Sequence, residues 1–267
     1  MKLLQRISQL LLDTENDRNQ IEAATLAYLQ TLSRQSQKRR LLVISQLIED
    51  FLVQTPAPNT LPLTISEKQT TIILLNKRLA QINNTTQKAN WVANFVITHA
   101  LNTLDSTKLE SFLDLLIDRL LEQIKAQVAP HSKSAPGYAY FILAINQQIP
   151  RFLPLFKRRL FTQALAPDCL LAAYRVYFWT LQTPTDPLEP WAFIAALLNE
   201  TSEINNSYNP GVLYVFLDVL NEYMSDHFNP HWSQLIQTII IPKYLPLINP
   251  QLFPTEICQI KQHLNVS

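Results

Sequence analysis

Three carboxylates recur one helical turn apart, at Glu110, Asp114 and Asp118. Two carboxylates aimed into one pocket can hydrolyse a glycosidic bond or hold a pair of metal ions. A stripe of three with no histidine beside it reads more simply as a solvated helix face. The opposite charge gathers at Arg151, Lys157, Arg158 and Arg159, between Pro150 and Leu160. Arginine's planar fork takes two phosphate oxygens at once, so this run is either a polyanion site or another wetted face. A polyanion pocket requires Lys125, Lys133 and Arg175 to converge with the run on one anion. A wetted face requires only dispersed side chains.

Other chemistries find less support. The chain has two glycines, Gly137 and Gly211. No glycine-rich phosphate loop, dinucleotide fingerprint or nucleophile elbow can be built from them. Cys169 and Cys258 are too few for a disulfide framework and lack metal-ligand spacing. Cys169, in Pro167-Asp168-Cys169-Leu170-Leu171, reads as a buried helical cysteine. His227 and His231 stand four apart with Pro230 between them, so they read as loop histidines rather than ligands on one helical face. Tyr174, Tyr177 and Phe178 can stack on bases, but at helical spacing they are more simply core. No catalytic residue and no metal ligand is assigned, and the chain reads as a non-enzymatic interaction module. The formal net charge of +1 supplies no global field for nucleic acid or an acidic membrane. No signal peptide and no membrane-spanning run is recognised.

The elements that position these residues are helical throughout. Apolar residues recur at helical period almost everywhere, and the scarcity of glycine argues against sheets. Residues 1–54 read as an N-terminal amphipathic segment, with Arg34, Lys38, Arg39 and Arg40 on a wet stretch. Residues 55–65 read as a linker, because Pro56, Pro58 and Pro62 cannot continue a helix. Residues 66–267 read as one helical domain. Ser66-Glu67-Lys68-Gln69 has the form of a capping box, and Ser106 predicts the start of a helix reaching about Val128. Helices are predicted over 137–149, 151–165 and 168–182. Asp186-Pro187, Asn209-Pro210, Asn229-Pro230 and Asn249-Pro250 each read as an N-cap followed by proline at the first helical position. Val212, Leu213, Val215, Phe216, Leu217, Val219 and Leu220 leave their helix few wet positions, so it must be covered on more than one side. A stack of antiparallel helical hairpins, as in HEAT-like arrays, supplies that cover.

From about Ile72 onward the chain resembles the C-terminal domain of the Gle-one (GLFG-lethal) family of nuclear-pore mRNA-export factors. The resemblance rests on ordered segments: Leu79-Ala80-Gln81-Ile82-Asn83-Asn84-Thr85, Arg175-Val176-Tyr177, Pro190 to Asn199, Phe216-Leu217-Asp218-Val219, and Tyr244-Leu245-Pro246-Leu247-Ile248. It implies a HEAT-like domain that binds a DEAD-box RNA helicase and stimulates its ATPase cycle. It further implies inositol hexakisphosphate as a bridge (though no cofactor is strictly required), an FG-nucleoporin partner, no direct nucleic-acid contact and no membrane insertion. The implied location is the cytoplasmic face of the nuclear pore, between nucleus and cytoplasm. The candidate site for inositol phosphate or partner comprises Arg159, Arg158, Lys157, Arg151, Lys125, Lys133 and Arg175. The family's basic stretch corresponds here to Arg159-Leu160-Phe161-Thr162-Gln163-Ala164-Leu165. Its arginine is kept, and Thr162 and Gln163 stand where the family has a lysine pair. The alternative reading is a helical scaffold of another assembly that shares only the fold.

Overall fold

The computed structural model describes residues 61–162, 167–182, 188–199, 204 and 209–266. The expected amphipathic segment 1–54, most of the 55–65 linker and the Asp186-Pro187 start lie outside the described residues. Among those described, the structure is all-α, with no strand. The helices are α1 (Ile65–Leu79), α2 (Thr86–Thr103), α3 (Leu109–Gln127), α4 (Ala135–Gln148), α5 (Phe152–Thr162), α6 (Pro167–Leu181), α7 (Glu189–Asn199), α8 (Asn209–Phe228), α9 (His231–Leu235) and α10 (Pro254–Leu264). None is long and apolar enough to cross a membrane.

The described residues form two compact units. The first comprises those up to Gln182 together with Asp218–Leu220 of α8. In it, α2 packs on α4 and α4 on α6, while α1 packs on α3 and α3 on α5. Alternate helices thus lie side by side in two layers, as successive antiparallel hairpins require. The sequence explains why α4 sits in mid-layer. Ala135, Gly137, Tyr138, Ala139, Phe141, Ile142, Ala144 and Ile145 are all buried, so this helix is covered around most of its circumference. Burial pushes the Tyr138 hydroxyl up to about 12.

Gly137 has a specific use. A Cβ there would stand 2.7 Å from the carbonyl carbon of Asn83, closer still to its oxygen, and 3.3 Å from the Asn84 amide nitrogen. The first turn of α4 therefore rests on the backbone of the α1–α2 connection, and the Asn84 side-chain amide donates to the Lys133 carbonyl on the same approach.

The helix starts differ from expectation in register. The box at α1 is made by Thr64 and Glu67, two residues before Ser66 and Gln69. Both spacings suit a box; the earlier one wins because Glu67 also receives Lys108 Nζ at 2.8 Å. Asp105, not Ser106, caps the 3₁₀ turn Ser106–Lys108 that leads into α3. The N-terminus of α5 is served from α4, where Asn146 Oδ1 accepts from the Leu153 amide at 3.0 Å.

The second unit holds α7, most of α8, α9 and α10. Its core is aromatic: Trp191 meets Phe228 and Trp232 edge-on, Phe193 stacks on Phe216, and Trp232 Nε1 donates to Asn221 Oδ1 at 2.9 Å. Asn209-Pro210 stands at the start of α8, with Asn209 its first helical residue rather than a flanking cap, and the other two Asn-Pro pairs do not cap as expected. Pro230 itself occupies the cap position of α9, after a cis peptide bond, and Asn229 instead bonds Ser225 and Ser233. Asn249 closes a turn, its side chain accepting from the Gln251 amide, and α10 starts four residues beyond Pro250, at Pro254. A local Asx turn satisfies the same backbone groups that a cap would. After α9 the chain widens into a π-helix, Ile236–Tyr244, with Pro242 inside.

Two outcomes follow. Lys108 and the Thr64 cap hold the Glu67 carboxyl near 2, against an ordinary 4.5. A carboxyl depressed on folding stabilises above its unfolded value and loses that contribution as pH falls through its folded one. Glu67→Gln should therefore lower the thermal midpoint at pH 7, and the gap to the native chain should close as pH drops from about 4.5 toward 2. For Gly137→Ala, overpacking against backbone costs about 1–3 kcal/mol, against roughly 1 kcal/mol of helix propensity gained. Urea unfolding should show a net loss of up to about 2 kcal/mol.

Candidate functional site

The basic run and the carboxylate stripe, separate features in the sequence, meet in space. Arg151 Nη1 lies 3.0 Å from Glu110 Oε1. Arg159 donates twice to Asp118 Oδ1, through Nη2 at 2.6 Å and Nε at 3.1 Å. Both pairs are 41 residues apart in the chain. That constant offset means α3 and the α5 segment run parallel, cross-linked by two rungs roughly 12 Å apart at 1.5 Å per residue. Asp114 lies on the same stripe between the rungs and is exposed.

The rungs differ in environment. Arg151 and Glu110 retain 17% and 13% of their side-chain exposure, Arg159 and Asp118 36% and 42%. Burial raises the Glu110 carboxyl above its ordinary range despite the opposing pull of Arg151, and Asp114 adds to the rise. Desolvation thus outweighs the attraction at the inner rung, as it commonly does for buried pairs. Arg151 Nε is buried without a hydrogen-bond partner.

The remaining candidates are dispersed. Arg175 on α6 pairs with Asp218. Lys157 Nζ sits 5.7 Å from the centre of the Tyr177 ring. Arg158 is exposed on α5. Lys125, near the end of α3, is exposed, and its charge reaches Cys169 of α6. Burial still raises the Cys169 thiol, whose Sγ lies 3.8 Å from the Leu121 carbonyl. Lys133 is exposed in the turn before α4, a whole helix length, about 20 Å, from Arg151 at the far end. Arg151, Arg159 and Arg175 are therefore each engaged by a carboxylate of their own, and Lys133 stands apart. The side chains at Thr162 and Gln163 lie outside the described residues.

Tyr174, Tyr177 and Phe178 are buried and pack with one another and with Phe161, the core reading of that cluster. His227 lies in the last turn of α8 rather than a loop, its ring 4.2 Å from that of Tyr223. No three His, Cys, Asp or Glu groups among the described residues come together as metal ligands would.

Two solved structures share this architecture. One is an S. cerevisiae complex of a Dbp5 variant's C-terminal domain bound to Gle1 and IP6. It matches with a TM-score of 0.64 and 13% identity, over 84% of this chain and 94% of the other. The second, with a further Gle1 substitution, gives 0.61 and 13%, over 84% and 92%. The shared feature is the fold. It is the all-α fold of the Gle1 C-terminal domain. No protein-family profile matches the sequence, and no curated protein does either.

Sequence reading found the cations of the run but not their partners, because two charges 41 residues apart carry no local signal. It also passed over Arg78, Lys88, Trp91 and Phe95, which gather on α1 and α2. Two signals pointed there: the spacing 88, 91, 95 on one helix, and a stretch from Lys68 to Leu104 without a carboxylate.

The two rungs should respond differently to truncation. Arg151→Ala strands a mostly buried Glu110 and should cost about 2–4 kcal/mol in urea unfolding. Arg159→Ala, at a half-exposed pair, should cost no more than about 1 kcal/mol. Replacing Glu110 and Arg151 together by methionine should recover most of the larger loss.

Proposed function

We propose that this chain is a non-catalytic helical partner of a DEAD-box RNA helicase, which it binds and stimulates, with inositol hexakisphosphate as an accessory ligand. The observation that carries the reading is the match over 84% of this chain to a fold solved in complex with Dbp5 and IP6. The mechanism is differential binding: a surface that prefers one conformation of the helicase speeds passage through the step that limits turnover. On this reading the chain works in mRNA export at the cytoplasmic face of the nuclear pore, beside an FG-nucleoporin.

The basic segment of α5 is the proposed contact for the phosphate ligand, through Arg159 with Lys157 and Arg158. The geometry adds a condition. Arg159 is held by Asp118, so a phosphate must compete with that carboxylate. Asp118 thereby lowers the affinity.

The decisive assay is the RNA-dependent ATPase of a DEAD-box helicase of this type with and without the purified chain. Several-fold stimulation is expected; none, at micromolar chain, sinks the reading and leaves scaffolding in another assembly. Calorimetric titration with inositol hexakisphosphate at moderate salt tests the ligand. Arg159→Ala should weaken binding about tenfold, the scale of one charge-assisted phosphate contact, and Asp118→Asn should tighten it.

A further inference from the structure

Arg151 and Arg159 are each paired with a carboxylate; two cations of α1 and α2 are placed differently. Arg78 and Lys88 form no ion pair with any described residue, and both lie against aromatic rings. The Arg78 guanidinium carbon stands 3.8 Å from the centre of Phe95 and 5.4 Å from that of Trp91. Lys88 Nζ stands 4.0 Å from the centre of Trp91. The two rings are neighbours, with centroids 6.0 Å apart and an interplanar angle of 34°. Trp91 is 44% exposed, the most exposed tryptophan among the described residues.

Two helices and their spacing build this arrangement. Lys88, Trp91 and Phe95 lie on one face of α2, at i, i+3 and i+7, and Arg78 reaches them from the last turn of α1. Cation–π attraction holds the two charges over the rings, where neither is neutralised. The surroundings reinforce the sign. Lys68, Lys77, Arg78 and Lys88 are the charged residues from Lys68 to Leu104, and no Asp or Glu accompanies them. In a chain of net charge +1 this is a segregated patch. The basic run of α5 faces a carboxylate stripe; the one carboxylate of α1 and α2, Glu67 in the first turn of α1, is taken by Lys108.

We propose that this face of α1 and α2 binds single-stranded nucleic acid. A half-exposed indole offers a surface on which an unpaired base can stack. Arg78, nearest Phe95, and Lys88, nearest Trp91, bring positive charge to the phosphates that flank that base. An acidic peptide would satisfy the cations but leave the indole without a planar partner. A duplex would satisfy the phosphate contacts and likewise offer no free base. This departs from the absence of direct nucleic-acid contact that the family resemblance implies; the lack of a global basic field does not oppose it, since contacts within a Debye length of about 8–10 Å are set by the local patch. Discrimination among bases is not built in: every base has a π-face, and the patch presents no fork aimed at a base edge.

The test is fluorescence anisotropy of a 5′-fluorescein decauridylate titrated with the full chain at 50 and 200 mM salt. Micromolar binding is expected at the lower salt, weakening as salt rises with a log–log slope of about −1.4, that is about −0.7 for each of two phosphate contacts. Trp91→Ala should weaken binding about tenfold or more. Lys88→Gln should lower the slope by about 0.7. Both residues lie on the surface, and far-ultraviolet circular dichroism should show each variant with native helix content. Lys243→Gln, an exposed cation of the second unit, should leave the affinity unchanged. The proposal is overturned by no binding at 50 mM salt, by binding that Trp91→Ala leaves intact, or by equal competition from poly-glutamate. Because the probe is naked oligonucleotide, this result stands or falls separately from helicase stimulation.

Discussion

Helix α4 has almost no wet side, and the first unit is organised around that constraint. Eight of its fourteen residues are buried, and an apolar helix of this kind is stable only between neighbours that cover it on more than one face. Packing α2 on one side and α6 on the other supplies the cover and aligns the three in a layer. The partner layer of α1, α3 and α5 then follows from the short connections. Gly137 enters at the tightest point: because it has no side chain, α4 can rest on the backbone at Asn83 and Asn84. One of only two glycines in the chain thus serves a close approach rather than a turn.

The charges are arranged after the layers, not before them. Parallel alignment of α3 and α5 brings Glu110 to Arg151 and Asp118 to Arg159 at the same sequence offset. The inner rung is largely shielded from water, where desolvation outweighs attraction and the Glu110 carboxyl is pushed up. Such a pair adds little net stability but penalises any register that separates the charges. The outer rung is half exposed and weak enough to open. The same seam therefore fixes register at one end and, in the proposed function, yields an arginine to a phosphate at the other.

A different logic governs α1 and α2. Arg78 and Lys88 rest on Phe95 and Trp91 rather than on carboxylates, so their charge stays available to an anionic partner. The two positive regions of the first unit are thus chemically distinct. Two of the four cations in the α5 run, Arg151 and Arg159, are paired with carboxylates of α3, whereas Arg78 and Lys88 of the α1–α2 face lie over aromatic rings. Counting positive residues along the chain does not separate the two, since each stretch holds four.

The sequence by itself determined the helical class, the approximate extents of α4 and α6, the core role of Tyr174, Tyr177 and Phe178, and the burial of Cys169. All of these rest on spacing within a few residues, where the 3.6-residue period of the helix acts directly. Even there, neighbouring matches to one local pattern compete. The box at α1 went to Thr64 and Glu67 because Lys108 lies within reach, and Asn249 closed a turn where a cap was expected. Only the tertiary structure decided which charges are spent on one another, since Arg151 and Glu110 share nothing local and meet because two helices of one layer run parallel. It likewise decided that Arg78 and Lys88 would lie over aromatic rings, because the face a side chain meets is set by packing between helices and not by its neighbours in the chain.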